Sequence, residues 1–201
     1  MHTQWYKYSI NFIAALVAIM AGLFIAESLI AAQTNEQDDV QSTVVAGQLA
    51  PRLQNLGNHK FPVTTNSARA QLFINQGLML AYGFNHAEAA RSFREAARLD
   101  PNCAMAYWGM ALVQGPNINM AMAPEAEQPA HEAIRQAEAL KKTVSEREQA
   151  YIDALAKRYS GEEKPNRSAL DRAYAAAMRE LHDRYPDDLD AATLYAEAVM
   201  N

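Results

Sequence analysis

Side chains able to ligate a metal or act as nucleophiles are few and scattered: His2, His59, His86, Cys103, His131 and His182. No two have the i,i+4 or Cys-x-x-Cys spacing that places ligands together on one local element. Any metal site must therefore be assembled across the fold. The candidates for it are His59, His86 and Cys103, because the two histidines flank one helical stretch. The blander reading makes His86 an inter-helix filler, His59 a linker residue and Cys103 a small residue at a helix start. Tyr107-Trp108 and Met79, Met105, Met110, Met120 and Met122 could also touch copper or haem. At helical spacing such residues more often fill cores or grooves, and no Cys-x-x-Cys-His haem attachment occurs. Gly-x-Ser-x-Gly, P-loop and dinucleotide-binding fingerprints are missing too. Carboxylates sit beside Lys and Arg, as in Glu146-Arg147-Glu148, which describes solvated helix faces. The expectation is a protein that is not an enzyme and carries no cofactor.

The elements that would position these side chains begin with Arg69 to Pro101. At helical period this stretch is two amphipathic helices broken at Tyr82-Gly83-Phe84-Asn85. Phe73, Gly77 and Leu80 share a face of the first; Ala89, Phe93 and Ala96 recur along the second. Asp100-Pro101 stops the second, since proline disfavours the α conformation before it. Gly77 and Ala89 lack bulk where two helices would cross, and Phe93 supplies it. An aromatic, a Gly, a small residue, an aromatic, an Ala and a closing Pro within about 34 residues resembles the tetratricopeptide repeat. Pro101-Asn102-Cys103-Ala104-Met105-Ala106-Tyr107-Trp108-Gly109 then looks like the next repeat opening, with Tyr107 in the usual tryptophan slot. Together with Leu56-Gly57-Asn58-His59-Lys60-Phe61-Pro62-Val63 and Gly115-Pro116-Asn117-Ile118-Asn119, the chain is similar to a group of exported bacterial repeat proteins. That resemblance implies an architecture and not a reaction.

Composition agrees with helices. The 201 residues are half apolar, with a formal net charge of −5 and no basic cluster, which argues against nucleic-acid binding. The lone Cys103 cannot form an internal disulfide. Phe12 to Ala26 is free of charge, preceded by Lys7 and followed by Glu27, Glu36, Asp38 and Asp39. Residues 1–32 are thus a cleaved signal peptide or a retained, tilted anchor, and both place the remainder outside the cytoplasm. The expected location is the periplasm or the outer face of the inner membrane. If uncleaved, this segment makes the membrane a partner.

Residues 33–66 read as a linker, with Leu49, Leu53 and Leu56 able to form a helical turn or two and Thr64 to Ser67 offering N-caps. Residues 67–201 are the repeat array. It is interrupted at Gln114–Asn119 and restarts at Pro124 or Pro129 in a helix ending near Leu140. Ser145 and Glu148 form a capping box for a helix ending near Tyr159. Ser168 and Asp171 give a weaker start signal for one ending at Tyr185-Pro186. Pro186 to Ala192 echoes the repeat opening at Pro101, and the array is expected to be incomplete at its C-terminus, with the last apolar face awaiting a further helix.

The predicted fold is all-α. Antiparallel helix-pair repeats stack as a right-handed, tetratricopeptide-like superhelix after an N-terminal apolar helix. The resemblance implies that the first helix of each pair lines a concave groove, which assigns partner contacts to Ile74, Leu78, Tyr82, Met105, Trp108 and Leu112. Lys and Asn, needed at such positions to clamp a carboxylate, are replaced by Ile74, Leu78, Trp108 and Leu112, which argues against an acidic chaperone tail as partner. Trp108 is the expected anchor and Tyr107 the core residue. Burial of this lining under an adjacent segment, residues 49–63 or a further C-terminal one, is the competing expectation. The predicted function is a non-enzymatic scaffold for a protein or peptide partner. The alternative is a periplasmic metal- or haem-handling protein using His59, His86 and Cys103.

Overall fold

Ser67 opens the first helix, its hydroxyl accepting the Ala70 N–H at 3.1 Å and satisfying a donor that every helix start leaves free. The computed structural model describes residues 47–201. Their helices are α1 (Ala68–Tyr82), α2 (His86–Leu99), α3 (Ala104–Leu112), α4 (Glu127–Leu140), α5 (Glu146–Ala156), α6 (Arg167–Arg184) and α7 (Leu189–Met200). Short 3-10 turns at Pro124–Ala126 and Lys141–Thr143 flank α4. Among the described residues the only β pairing is a bridge between Asn117 and Met120. The all-α expectation thus describes this part of the chain. Residues 1–46, which hold the expected export segment and the start of the expected linker, lie outside the described residues.

Local chemistry sets most boundaries. The expected capping box is present at α5, where Ser145 and Glu148 satisfy each other's backbone. At α6 the cap is Asn166, whose side chain accepts the Ala169 N–H at 3.1 Å, and not the Ser168 read from the sequence. Asp188 caps α7 through the N–H groups of Asp190 and Ala191. Each helix packs on the next, and α1 also meets α3, as α3 meets α5. The first crossing turns on Phe93, which is fully buried. A Cβ added at Gly77 of α1 would lie 2.8 Å from its ring, and one at Gly109 of α3 closer still. Two glycines on successive helices leave the space that one aromatic fills.

Residues 47–66 form no helix. They run as an irregular strap over the helices, within the same compact unit. A strap without a ladder must find other partners for its backbone, and helix side chains provide them. Gln76 accepts the Leu53 N–H at 2.8 Å, Asn75 that of Phe61 at 3.0 Å, and Gln71 that of Val63 at 3.0 Å. Glu95 accepts the Leu49 N–H at 2.9 Å; Glu148 takes that of Thr64 at 2.7 Å. Asp100 accepts from the Thr65 hydroxyl and the Asn66 N–H. The apolar anchor is Phe61, fully buried. It stacks on Trp108 with centroids 5.9 Å apart and meets Tyr151 edge-on at 5.3 Å, while the Arg147 guanidinium lies 4.7 Å from its ring centre.

This strap favours the competing expectation, burial of Trp108 beneath residues 49–63, over a groove position for it. Trp108 is only 1 % exposed, and its indole N–H donates to the Tyr151 carbonyl at 3.2 Å. Tyr107 is the partly exposed neighbour, its hydroxyl donating to the Pro101 carbonyl at 3.2 Å. The physical reason is the strap: Phe61 occupies the face of α3 that a partner would otherwise reach.

Candidate binding cleft

The helix face assigned to a partner is largely occupied by the chain itself. Ile74, Leu78, Met105 and Trp108 are all buried and cannot touch a partner in this arrangement. Leu112, also buried, and Tyr82, partly buried, have a second neighbourhood. Both line an open cleft of about 370 Å³ formed by the ends of α1 and α3, the loop after α3, and α7. Phe84, Ile118, Leu194 and Met200 complete its apolar wall, with Arg158 and Glu197 among the lining residues.

The mouth of the cleft is built by an unusual helix end. The Asn85 N–H reaches back to the Leu80 carbonyl at 2.8 Å, and the Phe84 N–H to that of Ala81 at 3.0 Å. This is the Schellman pattern, which needs one left-handed residue and usually employs glycine. Gly83 stands beside it with φ −83°, yet the left-handed residue is Phe84, with φ 58°. Such a conformation costs an L-residue roughly 1–2 kcal/mol. The ring it carries is 53 % exposed and stacks on His86, 6.3 Å away between centroids. Ile118 and Met200, 52 % and 57 % exposed, stand with it around the opening.

Arg158 gives the cleft its one deeply buried charge. Only 1 % exposed, it donates to the Pro116 carbonyl at 2.8 Å and lies 4.5 Å from the centre of the Tyr174 ring. Asp171 and Glu197 each approach it to 3.8 Å. Burial alone would make the guanidinium easier to deprotonate, and neighbouring phenols and these carboxylates outweigh it, so its pKa is raised. Its charge is therefore answered by two acids, and the cleft suits an uncharged occupant. At the far end Tyr82 donates to Asp190 at 2.8 Å. Burial, followed by the Asp190 charge, pushes the Tyr82 pKa up, so it remains a phenol. His59 Nε2 sits 3.0 Å from the same carboxylate oxygen.

The cross-fold metal set is not assembled. Among the described residues no three His, Cys, Asp or Glu side chains are grouped to hold a metal ion. His59 lies against Asp190 and His86 against Phe84. Cys103 is sealed at the start of α3, where burial pushes its thiol up to about 11. Sealed from solvent and held in its thiol form, Cys103 is a poor candidate for ligand or nucleophile. Sequence reasoning missed Phe84, Ile118, Arg158, Glu197 and Met200. The only signal was the Gly-Phe-Asn turn, which marks a helix end without saying which residue takes the left-handed position.

No family model matches the chain, and no curated protein or solved structure matches it either. Among the described residues no helix is long and apolar enough to cross a membrane.

Proposed function

We propose that this chain is a helical-repeat scaffold, without catalytic activity of its own, that holds an uncharged apolar segment of a partner protein or peptide in the Phe84–Ile118–Met200 cleft. The observation that carries it is Phe84. A large aromatic held in a left-handed conformation, with half its surface in water, is costly for folding and gains little from packing. Its return is a rigid apolar lip on a cleft that can take an aliphatic or aromatic side chain. The strap supports the same reading, because its irregular backbone and Phe61 lie on neighbouring helices of this array. In this reading the helices form a right-handed, tetratricopeptide-like superhelix, supported by the packing of α1 on α3 and of α3 on α5. The run from Phe12 to Ala26, between Lys7 and a set of acids, supports a place outside the cytoplasm, free in the periplasm or tethered to the inner membrane.

The test is selection of displayed peptides on the immobilised full chain and on its Phe84→Asp variant. Aspartate tolerates the left-handed region, so the variant keeps the helix end while placing a charge at the lip. Enrichment of uncharged peptides with aliphatic or aromatic side chains on the parent, lost on the variant, is the expected result. Peptides that bind both proteins equally, or no enrichment at all, would overturn the assignment of the cleft.

A further inference from the structure

Three of the chain's nine methionines line one cavity of about 530 Å³. Met110 comes from α3, Met120 and Met122 from the loop that follows, and His86 from the first turn of α2. Two local features set the loop methionines. Asn117 and Met120 exchange backbone hydrogen bonds of 2.9 Å in both directions, and the Asn117 side chain accepts the Asn119 N–H at 3.0 Å, which fixes the turn at Ile118-Asn119. The chain then runs without helix to Ala123, itself extended at φ −67°, ψ 135°. Met122 packs partly buried against the core, as Met110 does, and both line the cavity wall. Met120 is 67 % exposed, so packing does not hold its sulfur.

We propose that Met110, Met120, Met122 and His86 form a site for Cu(I). Three soft thioethers joined by one borderline imidazole make an uncharged set, and the thioethers select Cu(I) over the harder divalent ions. The methionine side chain has three rotatable bonds and can converge on an ion from the walls of an open cavity. Arg94 and Glu132, also in the wall, offset each other in formal charge, so the field there neither demands nor repels a monovalent cation strongly. Copper keeps its oxidation state on binding, and no proton has to leave a thioether.

The experiment is calorimetric titration of the full chain, under argon, with Cu(I) supplied as its acetonitrile complex. A single equivalent is expected to bind. Met120→Leu combined with Met122→Leu preserves apolar volume on an exposed loop, so the melting temperature should stay at that of the parent. Its Cu(I) affinity should fall at least about tenfold, the low end of what loss of even an outer-shell partner costs a metal site. Cys103→Ala should bind Cu(I) as the parent does, and copper X-ray absorption should show sulfur neighbours that diminish in the double variant alone. Absence of binding by the parent, unchanged affinity of the double variant, or loss of binding in Cys103→Ala would each overturn the site.

Discussion

Phe84 and Trp108 are both aromatic, and the chain uses them in opposite ways. Phe84 is strained and exposed, so Phe84→Gly should relieve the left-handed conformation. Against this stands the greater freedom of glycine in the unfolded chain, leaving a net gain of up to about 1 kcal/mol. Denaturant titration measures that gain, and the same variant should lose the peptides selected on the parent. A substitution that stabilises the fold while abolishing binding separates a functional residue from a structural one. Trp108 is the reverse case. Its ring lies between Phe61 and Tyr151 and its N–H is satisfied. Trp108→Ala should therefore cost about 3–5 kcal/mol. Tyr107→Ala, which gives up one hydrogen bond from a partly exposed residue, should cost about 1 kcal/mol. Thermal melts of the two variants side by side decide the order.

At the scale of elements, the strap is held by side-chain acceptors, which makes it sensitive to acid. The Arg98 guanidinium, bonded to both carboxylate oxygens, outweighs burial and holds Glu95 below the usual carboxylate range, with the Leu49 N–H helping. The Thr65 hydroxyl, with the Asn102 and Asn66 N–H groups, does the same for Asp100. Both groups have lower pKa values folded than unfolded. Their stabilisation is thus complete above the unfolded values of about 4 and is lost as pH falls through the lower folded ones. Phe61 lies on Trp108, so loosening of the strap should expose the indole. In a Trp5→Phe chain, whose fluorescence reports Trp108 alone, emission should hold steady near neutral pH and shift to the red below about pH 4. Glu95→Gln and Asp100→Asn together should flatten that transition. An emission that ignores pH down to the acid limit would mean that the strap does not depend on these two acids.

At the scale of the molecule, the first and last described helices are joined directly. Tyr82 ends α1 and donates to Asp190 at the start of α7, 108 residues along the chain. The cleft lies between these two helices and α3, so this bond helps set its width. Tyr82→Phe removes the hydroxyl and leaves Asp190 with only His59 Nε2, 3.0 Å away, beside that oxygen. A hydrogen bond to a charged group contributes roughly 1.5–3 kcal/mol, and the loss should fall on α7. Hydrogen exchange should accelerate across Leu189–Met200 while the amides at the α1–α2 crossing keep their protection. Equal acceleration in both places would instead mark global unfolding.

The sequence alone determined what depends on near neighbours. Helical period located the helices, and Ser67, the Ser145–Glu148 box and the prolines at 101 and 186 marked their ends, because caps and proline act within one turn. Gly77 and Phe93 announced the first crossing, since only paired small and large residues let two helices approach. Which face was left for a partner was not legible in the same way. That depended on where residues 47–66 come to rest, and a polar stretch with Gly and Pro has no period to reveal it. Gln71, Asn75 and Gln76 read as ordinary helix polars until the strap's N–H groups are placed against them. Burial of Trp108 and of Arg158, and the gathering of Met110 with Met120 and Met122, were likewise decided by tertiary structure. Burial is a property of what packs over a residue, and the packing segment can lie anywhere in the chain.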